Sequence, residues 1–300
     1  MKFTALLPPE LNGSAEPDWV SEFALHAERL GFDEISVVEH SVVIRDTSSA
    51  YPYDPSGRSP LPDDCPLPDP LELLAFIAAR TTSLGLATGV LVLPNQHPVV
   101  LAKRLATLDR LSGGRLRVCL GLGWMREEIE ACGGDFDRRG KHADEAIATM
   151  RALWSGTGAQ GVSLPGPRYT VHGAHSWPKP HDNRCVPIYI GGHSLAAARR
   201  AGRIGDGFQP LGLGGAALLS ALDALRDAAR SSGRNPDDVA LVLGGNLLRT
   251  DPAAVERAAA RGAQRMVLSP GYGADAPRDL ADLLDQMSAC AQRLGLAAHA

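Results

Sequence analysis

Val186-Pro187-Ile188-Tyr189-Ile190-Gly191-Gly192-His193-Ser194-Leu195-Ala196-Ala197-Ala198 joins a short apolar run to a glycine turn and an alanine-rich helix start. The run shows no polar alternation, which is how a parallel strand covered on both faces reads. Pro187–Ile190 is therefore a strand and Ser194–Ala201 a helix, and the same unit recurs on either side. Toward the N-terminus, strands are expected at Lys2–Leu7, Glu34–Val38, Leu84–Val92 and Leu116–Leu120. Between them lie a helix from about Pro17 that stops at Gly31, one capped by Asp69-Pro70 and running to Arg80, and one over Pro98–Leu111. Further helical segments are expected around Glu127 and over Lys141–Trp154. Toward the C-terminus the spacing predicts strands Asp206–Gln209, Val239–Leu243 and Gln264–Leu268. Their helices are Ala216–Ser231, Pro252–Arg261 and Pro277–Leu294.

Eight strand-helix units in one chain imply an α/β fold, a closed (β/α)8 TIM barrel forming a single domain over 1–300; a doubly wound open sheet is the other arrangement. Two aperiodic excursions interrupt the alternation, 41–68 after the second strand and 156–180 before the fifth. Loops of such length usually cover something.

The 300 residues are 44% hydrophobic and 21% charged, which excludes disorder, and the net charge of -4 provides no attraction for nucleic acid. No apolar run reaches the roughly eighteen residues a membrane span needs, and the first strand is too short for a signal sequence, so a cytoplasmic protein is expected. Cys65, Cys119, Cys132, Cys185 and Cys290 contain no C-x-x-C pair, which argues against a disulfide framework and a zinc ribbon.

In a barrel the chemistry sits just after each strand. The second strand ends in Glu39-His40, and a histidine there can accept, donate or relay a proton, though it can equally be a strand-end side chain bonded to backbone. Thr88-Gly89-Val90 places glycine inside an apolar strand, which marks a bulge or a close approach by a backbone or flat ligand. Gly121-Leu122-Gly123-Trp124 lacks the third glycine of a dinucleotide fingerprint but leaves room for a planar ring. Gly191-Gly192-His193-Ser194 opens a helix and suits a phosphate, or is a plain turn with a serine cap. Gly192-His193-Ser194-Leu195-Ala196 also approaches the nucleophile elbow of α/β-hydrolases, but the second glycine is absent and the sole later histidine is His299. His172, His175 and His181 share no acidic or cysteine partner, so no metal site is expected. Ser112-Gly113-Gly114-Arg115 precedes a strand and reads as a turn on the stability face.

The motifs Asp69-Pro70-Leu71-Glu72-Leu73-Leu74-Ala75, Thr88 to Pro94, His97-Pro98, Ala106 to Arg115, Gly121-Leu122-Gly123-Trp124 with Glu127 and Glu128, Arg139-Gly140, Pro187 to Gly192 and Gly205-Asp206-Gly207-Phe208, in this order, resemble the luciferase-like monooxygenase superfamily. Within it they resemble the branch of coenzyme F420-dependent oxidoreductases. The resemblance spans most of 1–212. It implies a barrel with a cofactor across its C-terminal mouth and a non-proline cis peptide, here Gly89–Val90, backing the ring. It further implies Glu39-His40 as the catalytic pair facing the reactive edge. Contacts to the cofactor would come from Thr88, Gly89, Val90, Gly121, Gly123 and Trp124, with Gly191, Gly192, His193 and Ser194 at its phosphate.

The expected activity is hydride transfer between coenzyme F420 and a small organic substrate, with His40 handling the proton and Glu39 orienting or tuning it. The alternative is an FMN-dependent monooxygenase that uses reduced flavin from a separate reductase and O2. FMN has nitrogen where the deazaflavin has carbon, and the former readily activates oxygen. Behind these stand an esterase built on Ser194 and a barrel that binds a ligand without turning it over. A homodimer is expected from the resemblance. Substrate choice belongs to the two excursions.

Overall fold

A computed structural model describes residues 1–11 and 13–297, leaving His299 outside the described residues. The chain runs β1 (Lys2–Leu6), α1 (Pro17–Arg29), β2 (Glu34–Val37), α2 (Pro70–Arg80), β3 (Gly85–Thr88), β4 (Leu91–Val92), α3 (Pro98–Leu111) and β5 (Leu116–Gly121). After α4 (Arg126–Ala131) and α5 (Arg139–Ser155) come β6 (Val162–Pro165) and β7 (Thr170–Ala174). The remainder is β8 (Ile188–Gly191), α6 (Leu195–Ile204), β9 (Gly207–Gln209), α7 (Gly215–Ser231), β10 (Ala240–Asn246), α8 (Pro252–Ala260), β11 (Ala263–Ser269) and α9 (Leu280–Leu294).

The main sheet has the order β3-β2-β1-β11-β10-β9-β8-β5-β4, and β3 also pairs with β5, which closes the ring. Each pairing within it is parallel. β3 and β4 are two halves of one barrel stave, so the barrel has the expected eight. The strand expected over Leu84–Val92 is interrupted at Gly89–Val90, where the glycine marks a bulge and the peptide is cis, as the resemblance implies. The helix expected from Pro277 starts at Leu280 instead, because Asp279 is its cap and accepts from the Asp282 amide. Residues 156–180 are not wholly irregular: β6 and β7 form an antiparallel hairpin that pairs Leu164 with Val171. That hairpin is too short to show a period in sequence, and Val171 alone of its residues is buried. Among the described residues no helix is long and apolar enough to cross a membrane.

Register fixes which side chains point into the barrel. Thr4 lies opposite Glu34, Ala87 opposite Arg117, Cys119 opposite Tyr189 and Val242 opposite Arg265. Near the N-terminal end, Arg117 clamps Glu34 with bonds of 2.5 and 3.0 Å, Thr4 Oγ1 donates to the same carboxylate at 2.9 Å, and Arg265 stands at 3.6 Å. The Arg117 guanidinium lies 4.5 Å from the centre of the Tyr189 ring. Burial opposes ionisation of Glu34, but these two cations and three bonds outweigh it and hold the carboxyl below its usual range. This buried cluster fills the N-terminal end of the barrel interior.

Around the staves the helices bury apolar faces, with Phe23, Leu74, Leu101 and Trp154 shielded from solvent. Trp154 satisfies its indole N–H on the Ala102 carbonyl at 2.9 Å. The Ser112–Arg115 turn lies at the floor end. Its arginine donates to the carbonyls of Ala78 and Leu84, tying α2 to β3.

Candidate active site

The mouth is built on β3–β4, where the bulge turns Val90 across the barrel. A Cβ added to Gly121 or to Gly191 would overlap the Val90 side chain, so these glycines make the space Val90 fills. Gly123, at φ +71, likewise yields to Val92 and Ile129. The room expected beside Trp124 for a planar ring is therefore occupied by valine and isoleucine. Thr88 is buried and exchanges bonds with the Cys119 backbone, its Oγ1 donating to the carbonyl and accepting from the amide, both at 2.9 Å. It locks β3 to β5, and its hydroxyl is not offered to a ligand.

Open polar capacity lies elsewhere. A Cβ on Gly89 would strike Ser36 Oγ and come within 3.5 Å of Gln209 Nε2. Ser36 Oγ and Gln209 Oε1 are buried and have no hydrogen-bond partner among the described residues. Buried polar atoms are nearly always paired, so two orphans flanking one side-chain-free bulge are the mark of a group that a ligand completes. Composition and motif gave no hint of either residue; only the register of β2 and β9 puts them under Gly89.

His40 leaves β2 on the mouth side. Its Nδ1 meets Glu128 Oε2 at 2.9 Å, and the other oxygen of that carboxylate accepts the Ser41 amide at 2.6 Å. A carboxylate accepts only, so Nδ1 carries the hydrogen and Nε2 is the basic nitrogen. Nε2 has no protein partner among the described residues. The orienting role expected of Glu39 thus belongs to Glu128. Glu39 turns the other way: Val92 N donates to its Oε2 and Gln96 Nε2 to its Oε1 at 2.7 Å. Glu39 and His40 lie in the loop just past β2 and bond to different partners. Burial raises the Glu39 carboxyl to about 7, against those two bonds.

The excursion 41–68 straps over the mouth. Glu127 accepts from Thr47 Oγ1 at 2.6 Å, from Ser48 N and Oγ at 2.7 Å each, and from Ser49 Oγ at 2.8 Å. These bonds hold its carboxyl far below the ordinary range, with Thr47 contributing most. The far end is fixed by Ser14 Oγ, which donates to the Pro66 carbonyl at 2.6 Å. Tyr51 packs edge-on to Trp124 at 5.2 Å, Trp124 to His40 at 6.2 Å, Tyr51 to Tyr53 at 5.3 Å and Tyr53 to His193 at 5.4 Å. Nothing in the aperiodic sequence of the strap singles out Tyr51 and Tyr53 as site residues; its Pro-Tyr-Asp-Pro composition reads as loop.

At the start of α6, Ser194 Oγ accepts from Ala197 N at 3.1 Å and is the helix cap. No base stands on it among the described residues, so the esterase arrangement is not formed. The Gly192 amide, expected to be free for a phosphate, donates to the Gln209 carbonyl at 3.2 Å, continuing the parallel ladder in which Gly191 lies opposite Gln209. The amides left for an anion there are those that open α6, ahead of the first helical acceptor.

A family model described as luciferase-like monooxygenase matches residues 1–293. An F420-dependent glucose-6-phosphate dehydrogenase of Mycolicibacterium gilvum is 30% identical over 230 residues, which is 74% of this chain and 62% of that protein. Alignments with the curated relatives cover between 57% and 62% of their length, less than two thirds. Among solved structures, an F420-dependent secondary alcohol dehydrogenase in complex with an F420-acetone adduct superposes with a TM-score of 0.76 at 18% identity, covering 100% of this chain and 99% of that one. A monooxygenase of Streptomyces bottropensis gives 0.73 at 22% identity and covers 98% of both chains. Likeness at these identities is one of fold.

Proposed function

The chain belongs to the luciferase-like monooxygenase family, and from that premise we propose that it transfers a hydride between deazaflavin coenzyme F420 and a small organic substrate. The observation that carries this reading is His40, oriented by Glu128 at 2.9 Å in the mouth of the barrel. The mouth fits a flat cofactor: Gly89 carries no side chain, and Ser36 Oγ and Gln209 Oε1 await polar partners beside it. Gly89, Val90, Ser36 and Gln209 would hold the ring, and the opening amides of α6 its phosphate.

A deazaflavin bound there supplies or accepts a hydride at a substrate carbon. His40 Nε2 gives the proton to the substrate oxygen during reduction or removes it during oxidation. Glu128 keeps Nδ1 protonated and steadies the imidazolium, as a buried carboxylate does for a general base. The strap shields the mouth from water.

Titrating the purified protein with F420 and with FMN tests the cofactor; FMN binding without F420 binding would overturn the assignment and favour the FMN-dependent monooxygenase. His40→Ala should retain F420 while losing turnover of carbonyl or enone substrates by about 100-fold or more. A wild-type chain that binds cofactor and turns over none of them would be a binding barrel instead.

A further inference from the structure

The strap commits the hydroxyls of residues 47–49 to α4 and brings two rings to the mouth. Thr47, Ser48 and Ser49 commit their hydroxyls to Glu127, and Arg45 is committed to Asp63. What the strap contributes to the rim is Tyr51 and Tyr53, which join Trp124, His40 and His193 in one continuous arc. The arc links the loops that follow β2, β5 and β8, and Tyr53 also closes on Gly212 beyond β9, where a Cβ would lie 3.2 Å from its ring. Each neighbouring pair is close to perpendicular, with interplanar angles from 74° to 86°. Edge-to-face packing of this kind fixes the rings against one another, so the arc is preorganised.

We propose that this arc selects an uncharged substrate whose reacting oxygen is borne on a flat or alicyclic hydrocarbon ring, and that the mouth excludes sugar phosphates. The relative from Mycolicibacterium gilvum is named for glucose 6-phosphate, a ligand that needs cations for its phosphate and hydrogen-bonding partners for each hydroxyl. In this strap Arg45 is paired with Asp63, and Arg58, the other guanidinium, is exposed. The hydroxyls of Thr47, Ser48 and Ser49 are tied to Glu127 on α4. A ring compound loses little on leaving water and gains aromatic contact along the arc, whereas a polyol gives up water at every hydroxyl for an arc that offers mostly ring faces.

The inference rests on the proposed function only for the presence of a reacting oxygen; recognition by the arc is independent of hydride chemistry. Saturation-transfer NMR of the purified chain, alone and with F420, would compare cyclohexenone with glucose 6-phosphate and so needs no turnover. Cyclohexenone is expected to bind and glucose 6-phosphate is not. Tyr51→Ala should weaken cyclohexenone about fivefold, and Tyr51→Phe should keep it within about twofold, since the ring face is what counts. Tighter binding of glucose 6-phosphate than of cyclohexenone by the wild-type chain would overturn the proposal, and that comparison requires no variant to fold. So would an unchanged affinity in a folded Tyr51→Ala. If cyclohexenone binds while neither F420 nor FMN does, the hydride reading falls and this one stands; if F420 binds and cyclohexenone does not in its presence, the reverse holds.

Discussion

His40 and Glu128 stand 88 positions apart in the chain and 2.9 Å apart in space, on the loop that leaves β2 and on the short helix α4. The carboxylate sets the tautomer and the angle of the ring at once, because its second oxygen is held by the Ser41 amide. Glu128→Gln keeps the shape but can present an N–H to Nδ1, which favours the wrong tautomer. Turnover with F420 should fall about 10- to 100-fold with little change in cofactor affinity. Steady-state kcat measured beside an F420 titration checks it; loss of affinity at unchanged kcat would show that Glu128 shapes the pocket and not the base.

Glu39 makes folding sensitive to pH. Burial pushes its carboxyl up to about 7 in the folded chain, from the usual 4.5. Over that window the native state holds a proton the unfolded chain has released. The group's stabilising contribution is therefore complete below pH 4.5 and disappears as pH climbs through 7. Glu39→Gln should unfold at higher urea than the parent at pH 8, by up to about 3 kcal/mol, and show no such gain at pH 4. An equal gain at both pH values would mean the carboxyl is not carrying the effect.

Val90 occupies space that Gly121 and Gly191 leave. Gly191→Ala should destabilise the barrel by about 1–3 kcal/mol through overpacking. Adding Val90→Ala should recover much of the loss, whereas two unrelated lesions would add. Urea denaturation of the single and double variants reads the coupling directly.

Glu127 is the clasp of the strap. Glu127→Ala should speed amide exchange at residues 47–49 and expose 41–68 to limited proteolysis, with the barrel melting temperature little changed. Protection that persists in the variant would place the clasp elsewhere.

Ser194→Ala removes a helix cap and should lower stability by about 1 kcal/mol. Ester hydrolysis by the wild-type protein that this variant abolished would restore the hydrolase alternative.

Much of this molecule was readable before folding was considered. The apolar runs at Val186–Ile190 and Leu241–Leu243, each bounded by helix signals, require parallel strands covered on both sides, and eight such units in one chain leave a closed barrel as their natural arrangement. Local chemistry likewise wrote the caps at Asp69 and Ser194, because a short polar side chain and the amides it accepts are neighbours along the chain. The position of His40 at a strand end follows from the same logic.

The partners of His40, Gly89 and Tyr53 could not be read that way. Glu128 finds His40, Ser36 and Gln209 converge under Gly89, and Tyr53 reaches His193, through contacts spanning many tens of positions. Such contacts depend on the stagger of strands around the ring and on where a strap with no periodicity comes to rest. A one-residue change in register would turn each inward group outward. The amino-acid order therefore settled the staves and their caps through short-range propensity. Closure of the barrel and the resting place of the strap decided which carboxylate holds the histidine and which rings line the mouth.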